Sequence, residues 1–225
     1  MRTVIKRRLM ISGMGSSNGG CFQTVKIDGI GRIDGDVACD DFIVSGRAEV
    51  QGSIAAEKME MKGTLSTQGN VKAKLSRLDG RAKIEGNYAG ETLAINGSVT
   101  ITGSCETEKF SANGRLQVGT LNADAVNITL HGYCKIGEIG GERIQVRRQR
   151  GIDLARWLKL LPLPIGNHLT VQTIEGDHIY LEYTTAEVVR GANIVIGPGC
   201  EIDLIEYTNK LEQDKRSKVK QSEKM

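Results

Sequence analysis

The three histidines, His131, His168 and His178, are the residues best suited to acid–base chemistry in this sequence. A catalytic histidine must lie within hydrogen-bond reach of the group whose proton it moves, and a third group usually orients it. None of the three has a carboxylate partner or a nucleophile at a spacing that indicates such an arrangement. We therefore predict no catalytic residues and expect that the chain is not an enzyme.

The cysteines and aspartates do not have the spacing of a metal site. The five cysteines are odd in number, far apart and without a C-x-x-C pair, so they indicate neither a disulfide framework nor a zinc site: they are Cys21, Cys39, Cys105, Cys134 and Cys200. A reducing compartment fits this usage. The aspartates, such as Asp28 and Asp79, do not follow the Gly-Asp nonapeptide pattern that binds calcium in other solenoids. We expect neither a metal nor a cofactor.

The composition is that of a folded chain with little aromatic volume. Aromatic residues supply 4% of the 225 residues, whereas glycine contributes 28 and proline three. The net charge is +3, and the basic clusters lack the interleaved aromatics of a nucleic-acid surface, so we expect no nucleic acid as a partner. No segment has the length of a signal-peptide core or a transmembrane helix, which predicts a cytoplasmic protein.

Glycine recurs every seventeen residues in two series. The first series is Gly29, Gly46, Gly63, Gly80, Gly97 and Gly114, and the second is Gly35, Gly52, Gly69, Gly86 and Gly103. Several of these glycines follow Asp or Asn, and such pairs accept a positive φ at a sharp bend. A fixed period of this length indicates stacked structural repeats with glycines at their corners.

Each seventeen-residue unit contains three pairs of apolar or small residues, and the two residues of a pair are two positions apart. Examples are Phe42/Val44, Ala48/Val50 and Ile54/Ala56. This is the period-two pattern of a very short strand with one buried face. Three such strands separated by corners bring the chain back above its own starting point. The sequence thus predicts an all-β fold, a three-sided parallel β-solenoid of about 17 residues per coil whose strands stack about 4.8 Å apart.

The repeat predicts the domain organisation. We expect a flexible basic tail over residues 1–21, a β-helix over residues 22–207, and a charged disordered tail over residues 208–225. An insertion at about residues 147–167 interrupts the repeat. The flexible termini, rich in Ser and Gly at one end and in Lys and Glu at the other, do not resemble a solenoid cap.

Two irregularities disturb the repeat without ending it. The pattern slips by one residue between Val118 and Leu121, and again near His131, which we interpret as local bulges. After the insertion the repeat resumes, because Val171 and Val188, like Ile179 and Ile196, are again seventeen residues apart.

The glycine ladder, the three apolar pairs per unit and the closing segment AEVVRGANIVIGPGCEIDLIEY resemble the bactofilins, bacterial polymer-forming cytoskeletal proteins. The resemblance covers nearly all of residues 22–207. It implies a single-stranded right-handed parallel β-helix, end-to-end assembly into nonpolar filaments without nucleotide, and an N-terminal tail that reaches the membrane. This sequence departs from the family in its opening, MRTVIKRRLMISG, which lacks the usual phenylalanine, and in the insertion.

The open ends of the solenoid are the predicted sites of self-association. A parallel solenoid exposes unpaired strand edges at its first and last coils, which natural solenoids normally cover. We therefore predict a homopolymer, in which the chain is its own partner. The candidate end contacts are Val25, Ile27, Leu204, Ile205 and Tyr207. From the residues alone, like ends or unlike ends can meet, and only the resemblance favours like ends.

Two segments combine basic and apolar residues in the way of membrane-surface peptides. The first comprises Val4, Ile5, Lys6, Arg7, Arg8, Leu9, Met10 and Ile11, for which an ordinary disordered tail is the alternative. The second, in the insertion, comprises Arg156, Trp157, Leu158, Lys159, Leu160 and Leu161, for which a short helix packed on the solenoid wall is the alternative. Expected partners are thus an anionic membrane on its inner, cytoplasmic face, and other proteins or a paralogous filament subunit.

One alternative is an enzyme. The segment IGPGC at residues 196–200 resembles the coils of the hexapeptide acyltransferases, left-handed β-helices. Those coils are built from units of six residues, and seventeen is not a multiple of six. The sequence therefore favours a structural scaffold, and an acyltransferase-like homotrimer is the alternative.

Overall fold

The computed structural model of the chain describes residues 7–149 and 166–225, and all the regular structure in these ranges is β-strand. The strands form one parallel sheet, in which each strand pairs with the next along the chain. They are β1 (Arg7–Val50), β2 (Ile54–Thr67), β3 (Val71–Ile84), β4 (Tyr88–Leu130), β5 (Tyr133–Arg148), β6 (His168–Leu181), β7 (Thr184–Ile196), β8 (Glu201–Gln213) and β9 (Lys218–Lys224).

The strand register confirms the predicted period. Phe42 pairs with Met59, Met59 with Ser76, and Ser76 with Leu93, so one turn takes seventeen residues. Each long strand covers more than one side of the coil, because the chain stays extended while it bends at the corners. The predicted parallel β-solenoid is therefore confirmed, with about 10 turns.

The core is a column of apolar side chains that all three sides of each coil supply. Phe42, Leu93 and Phe110 are among the members that are at most 1% exposed. Large and small side chains lie next to each other in this column. Tyr88 is bulky and fully buried and packs near the small Ser76. The Tyr88 hydroxyl donates to the carbonyl of Ala73 at 3.2 Å. A small residue fits at position 76 because the larger Tyr88 fills the space beside it.

The corner glycines have two different physical causes. All members of the first series have a positive φ, for example 130° at Gly80. In the second series only Gly35 does. At Gly52 and Gly69 an added Cβ would instead lie 2.5 and 2.7 Å from backbone atoms of the coil below, so close stacking and not φ excludes a side chain there. The positive φ predicted for glycines that follow Asp or Asn is therefore confirmed, and close stacking is a second cause that acts at Gly52 and Gly69.

A ladder of side-chain hydrogen bonds joins successive coils at the corner before the third side. The backbone N–H of Ser53 donates to Oδ1 of Asp36 at 2.7 Å, and that of Asn87 donates to Oδ1 of Asn70 at 2.8 Å. The ladder continues at Asn70 and Ser104, whose N–H groups donate to Ser53 and Asn87. Each rung satisfies a backbone donor that the bend would otherwise leave unpaired.

The solenoid extends beyond both predicted bounds. At the N-terminal side β1 begins at Arg7, Ile11 is only 7% exposed, and Gly13 lies directly below Gly29. At the other side β8 continues to Gln213, and β9 adds a further pairing. Residues 7–21 of the expected N-terminal tail and most of residues 208–225 are thus strands in the structure, and residues 1–6 lie outside the described residues. A terminal coil is covered on one side only, so it folds with fewer apolar residues than an inner coil.

The coils around the insertion do not keep the period of seventeen. Val118 pairs with Ile136, eighteen residues later. The predicted one-residue slips of the repeat are therefore irregularities within a continuous solenoid. After the interruption between β5 and β6, Ile179 pairs with Ile194 and not with Ile196. The expected spacing of seventeen is wrong in this region, because the turn between β6 and β7 takes fifteen residues.

Candidate functional site

The N-terminal end of the rod carries exposed apolar side chains. Met10 is 63% exposed and Met14 is 81% exposed, and Leu9 and Phe22 are only partly buried against the core. β1 lies at one end of the sheet, and no described strand covers the outer edge of its first coil. Among residues 7–149 and 166–225, this end therefore combines an uncovered strand edge with apolar side chains, and such an edge favours strand pairing with another chain.

The C-terminal end is built from different chemistry. β9 is the last strand of the sheet and pairs only with β8. Its exposed side chains include Lys218 and Lys220, which form ion pairs with Glu201 and Asp203 of β8 at 2.9 and 2.8 Å. Apart from the half-buried Val219 this strand contributes only polar residues to the last coil. The two ends of the rod thus differ: the first coil exposes methionines next to Arg7 and Arg8, whereas the last coil exposes mainly ion-paired charged side chains, with Met225 directly after β9.

The predicted end contacts lie inside the rod and not at its ends. Val25, Ile27 and Ile205 are all 0% exposed. Residues 7–22 cover the first two, while Leu204, Ile205 and Tyr207 pair with β9. The prediction failed because it placed the ends of the solenoid one coil too far inward on both sides. Met10, Met14 and Phe22 were missed as end residues, although an apolar run next to a Gly-rich segment marks them.

The predicted membrane segments are only partly described. Val4, Ile5 and Lys6 lie outside the described residues, as does the whole set from Arg156 to Leu161. Arg7, Arg8 and Met10 are exposed, and Leu9 is half-buried. Ile11, however, is buried in the core, so its assignment as a membrane contact is wrong.

The histidines and cysteines do not form a reactive constellation within residues 7–149 and 166–225. Nε2 of His168 lies 2.8 Å from Oγ1 of Thr185, and burial lowers the pKa of this histidine. No histidine there is bonded to a carboxylate, and no group of three His, Cys, Asp or Glu residues is placed to hold a metal ion. Burial also raises the pKa of the Cys105 thiol to about 12 and that of Cys200 to about 11, so neither is a thiolate near neutral pH.

A long groove follows the corner between the third side of one coil and the first side of the next. Its N-terminal part has a volume of about 600 Å³ and its C-terminal part about 990 Å³. Small residues form its floor on every coil: Cys39, Ala56, Ala73, Gly90, Thr107, Ala123, Gly141, Gly176 and Gly191. We call this feature the axial groove. It did not emerge from the sequence, although the column of small residues was visible there.

The described part of the chain contains no helix that is long and apolar enough to cross a membrane.

Comparison with known proteins gives a family and two relatives. A family model described as "Bactofilin: Polymer-forming cytoskeletal" matches residues 3–106. The chain is similar to uncharacterized protein YhbE of Bacillus subtilis (strain 168), with 50% identity over 240 residues that cover 98% of this chain and 99% of that protein. It is also similar to uncharacterized protein YhbF of the same strain, with 39% identity over 108 residues that cover 48% of this chain and 42% of YhbF. No solved structure matches the chain.

Proposed function

This chain belongs to the bactofilin family of polymer-forming cytoskeletal proteins, and we propose that it is a structural subunit that assembles end to end, without nucleotide, into filaments. The observation that carries this proposal is the open, apolar N-terminal edge of the solenoid at Met10 and Met14. Pairing this edge with a second chain would satisfy its backbone groups and remove apolar surface from water.

The chemistry of the two ends supports contacts between like ends. If unlike ends met, the apolar surface around Met10 and Met14 would lie against the charged last coil around Lys218 and Lys220. Burying those ammonium groups against methionine, together with the Glu201 and Asp203 carboxylates that pair with them, would cost desolvation free energy. Contacts between like ends are two-fold, and a filament built from them has no polarity.

We further propose that the filament lies at the inner face of the cytoplasmic membrane and positions partner proteins there. The support is the basic N-terminal segment, of which Arg7 and Arg8 are exposed at the start of β1. The segment continues directly into the first coil, so a membrane contact would lie close to the end of each subunit.

The test of assembly is electron microscopy and sedimentation of the purified chain without nucleotide. We expect filaments whose axial repeat is two subunits, about 100 Å from about 10 turns at about 4.8 Å each. The double substitution Met10→Glu/Met14→Glu places two carboxylates at the N-terminal contact and should leave short assemblies, no longer than dimers joined at the other end.

The matched control is Leu75→Glu, since Leu75 is an exposed apolar residue of an inner coil, 49% accessible. This variant should form filaments like those of the unmodified chain. A stable monomer at all salt and protein concentrations would contradict the proposal. Monodisperse trimers would instead support the acyltransferase-like alternative, and an axial repeat of one subunit would show that unlike ends meet.

A further inference from the structure

One corner of the rod carries a single column of side chains, one from each coil. It is the corner between the first and the second side, where glycines with a positive φ bend the chain. Each member of the column directly follows one of these glycines in the sequence. We call this column the arginine edge, and its members are Ile30, Arg47, Thr64, Arg81, Ser98, Arg115 and Tyr133.

The parallel register places these residues in one line. Thr64 pairs with Arg47 on one side and with Arg81 on the other, and Arg81 pairs with Ser98. The line extends to Ile30 and Tyr133, because the glycines before the outer members stack on the neighbouring coils in the same way. Six steps of about 4.8 Å give the edge a length of about 29 Å along the rod.

The arginines of the edge differ from other basic residues near them. Arg32 and Arg77 form ion pairs with carboxylates two residues away, at 2.9 and 3.0 Å. Arg47, Arg81 and Arg115 are exposed, and none of them forms an ion pair within residues 7–149 and 166–225. Their guanidinium groups, on every second coil and thus about 10 Å apart, are available to an external anion.

The two ends of the edge are apolar and exposed. Ile30 is 46% accessible and Tyr133 is 57% accessible. Tyrosine is favoured where a membrane meets water, and basic residues combined with apolar ones are typical of surfaces that lie on anionic lipid. A single nucleic-acid strand is instead bound by aromatic side chains that alternate with basic ones, whereas Thr64 and Ser98 lie between these arginines. The edge therefore favours a lipid surface.

The axial groove, at another corner, has the opposite charge in its C-terminal part. Six carboxylates line it, namely Glu106, Asp124, Glu138, Glu142, Glu175 and Asp177. An anionic surface attracts the arginine edge and repels this part of the groove. The two corners together therefore favour one orientation of the rod, with the arginine edge on the membrane and the groove away from it.

We propose that the arginine edge is a second membrane-contact surface, along which the rod lies on an anionic bilayer. The three guanidinium groups bind lipid phosphates, and Ile30 and Tyr133 lie at the headgroup boundary. The inference rests on the membrane location proposed above and adds to it the face of the rod that makes the contact. It does not depend on end-to-end assembly, because the edge runs along the side of the rod.

The test is flotation of the purified chain with anionic phosphatidylglycerol vesicles over a range of lipid concentrations. Each basic residue near such a surface strengthens binding about fivefold, so Arg47→Gln/Arg81→Gln/Arg115→Gln should raise the half-saturating lipid concentration roughly a hundredfold. Arg47→Lys/Arg81→Lys/Arg115→Lys keeps the charge and should retain most of the binding. Ile30→Ser/Tyr133→Ser should weaken it less than the loss of the three charges.

The matched control is Lys72→Gln/Lys109→Gln/Arg143→Gln, which removes the same charge from exposed residues at least six positions from the edge along the coil. It should float much like the unmodified chain. Circular dichroism and electron microscopy should show that both glutamine variants fold and assemble as the unmodified chain does. In a chain that lacks residues 2–6, flotation should persist through the edge and disappear when the three edge arginines are also replaced.

Three results would overturn the proposal. If the edge variant and the control variant float equally well while deletion of residues 2–6 abolishes flotation, the membrane location stands and the edge is not the contact. If the unmodified chain does not float with anionic vesicles, the membrane location itself is wrong. If labelled single-stranded DNA is retained by the unmodified chain and not by the edge variant, while both float equally, the edge binds nucleic acid instead.

Discussion

Gly80 stands at a corner where both backbone conformation and stacking exclude a side chain. Its φ is 130°, and an added Cβ would overlap the carbonyl oxygen of Gly63 in the coil below. We expect Gly80→Ala to lower the free energy of unfolding by more than the roughly 1–2 kcal/mol that a left-handed conformation alone costs an L-residue. Thermal unfolding followed by circular dichroism measures this loss.

Gly132 provides the control for this prediction. Its φ is also positive, at 85°, but an added Cβ would meet only the Arg115 side chain, at 3.5 Å. Gly132→Ala should therefore show the conformational cost without the steric one, and a smaller loss of stability than Gly80→Ala. Equal losses in the two variants would contradict the role of close stacking.

Individual residues show where the sequence was sufficient. The positions of the corner glycines in the two series followed from their spacing, because a bend has the same sequence requirement on each of those coils. The cause at Gly52 and Gly69 did not follow, since contact with the coil below depends on a separation that only the coordinates contain. The sequence also did not show how Ser76 fits in an apolar column, because its fit depends on the volume of Tyr88 in the same region of the core.

The ladder of polar side chains at the corner before the third side contributes to the stacking of the coils. Oδ1 of Asn70 accepts from the backbone N–H of Asn87 at 2.8 Å. Asn70→Ala removes this acceptor and should cost about 1 kcal/mol, as the loss of a capping side chain does at a helix end. Chemical denaturation of the purified chain measures the change.

Asn70→Asp keeps an acceptor oxygen at the same position and should retain most of the stability. Asn96→Ala serves as a second control, because the Asn96 side chain donates to the partly buried Asp79 side chain at 2.9 Å and not to a backbone group. If Asn70→Ala were no less stable than Asn96→Ala, the rung would contribute nothing to the stack.

The terminal elements and the coils after the insertion were the hardest to predict. A strand such as β9 pairs through its backbone and needs little apolar surface, so its Lys-rich sequence is typical of a solvated tail. After the insertion, Ile194 and Ile196 both fit the apolar column, and only the backbone register distinguishes a turn of fifteen residues from one of seventeen. The length of a turn can therefore be predicted from the sequence where the corners keep one length, but not where a turn shortens.

At the scale of the whole molecule, the rod presents its charges and apolar surfaces in separate places. The apolar surface of Met10 and Met14 is at one end, ion-paired lysines such as Lys218 are at the other, and the acidic axial groove runs along the side. Contacts at an end and along the side can thus form independently. A filament of such subunits would repeat the basic N-terminal segment and the groove along its whole length.

Repetition along a filament determines the expected strength of membrane binding. Arg2, Lys6, Arg7 and Arg8 each contribute about 1 kcal/mol near an anionic surface, which holds a single subunit weakly, but many linked copies bind with avidity. Filaments should therefore float with anionic phosphatidylglycerol vesicles in a density gradient and not with neutral ones. Deletion of residues 2–6 should reduce the floated fraction, and so should Met10→Glu/Met14→Glu, which keeps the basic residues but shortens the assemblies. Leu75→Glu filaments should float like the unmodified protein, whereas unchanged flotation after the deletion would show that another part of the chain contacts the membrane.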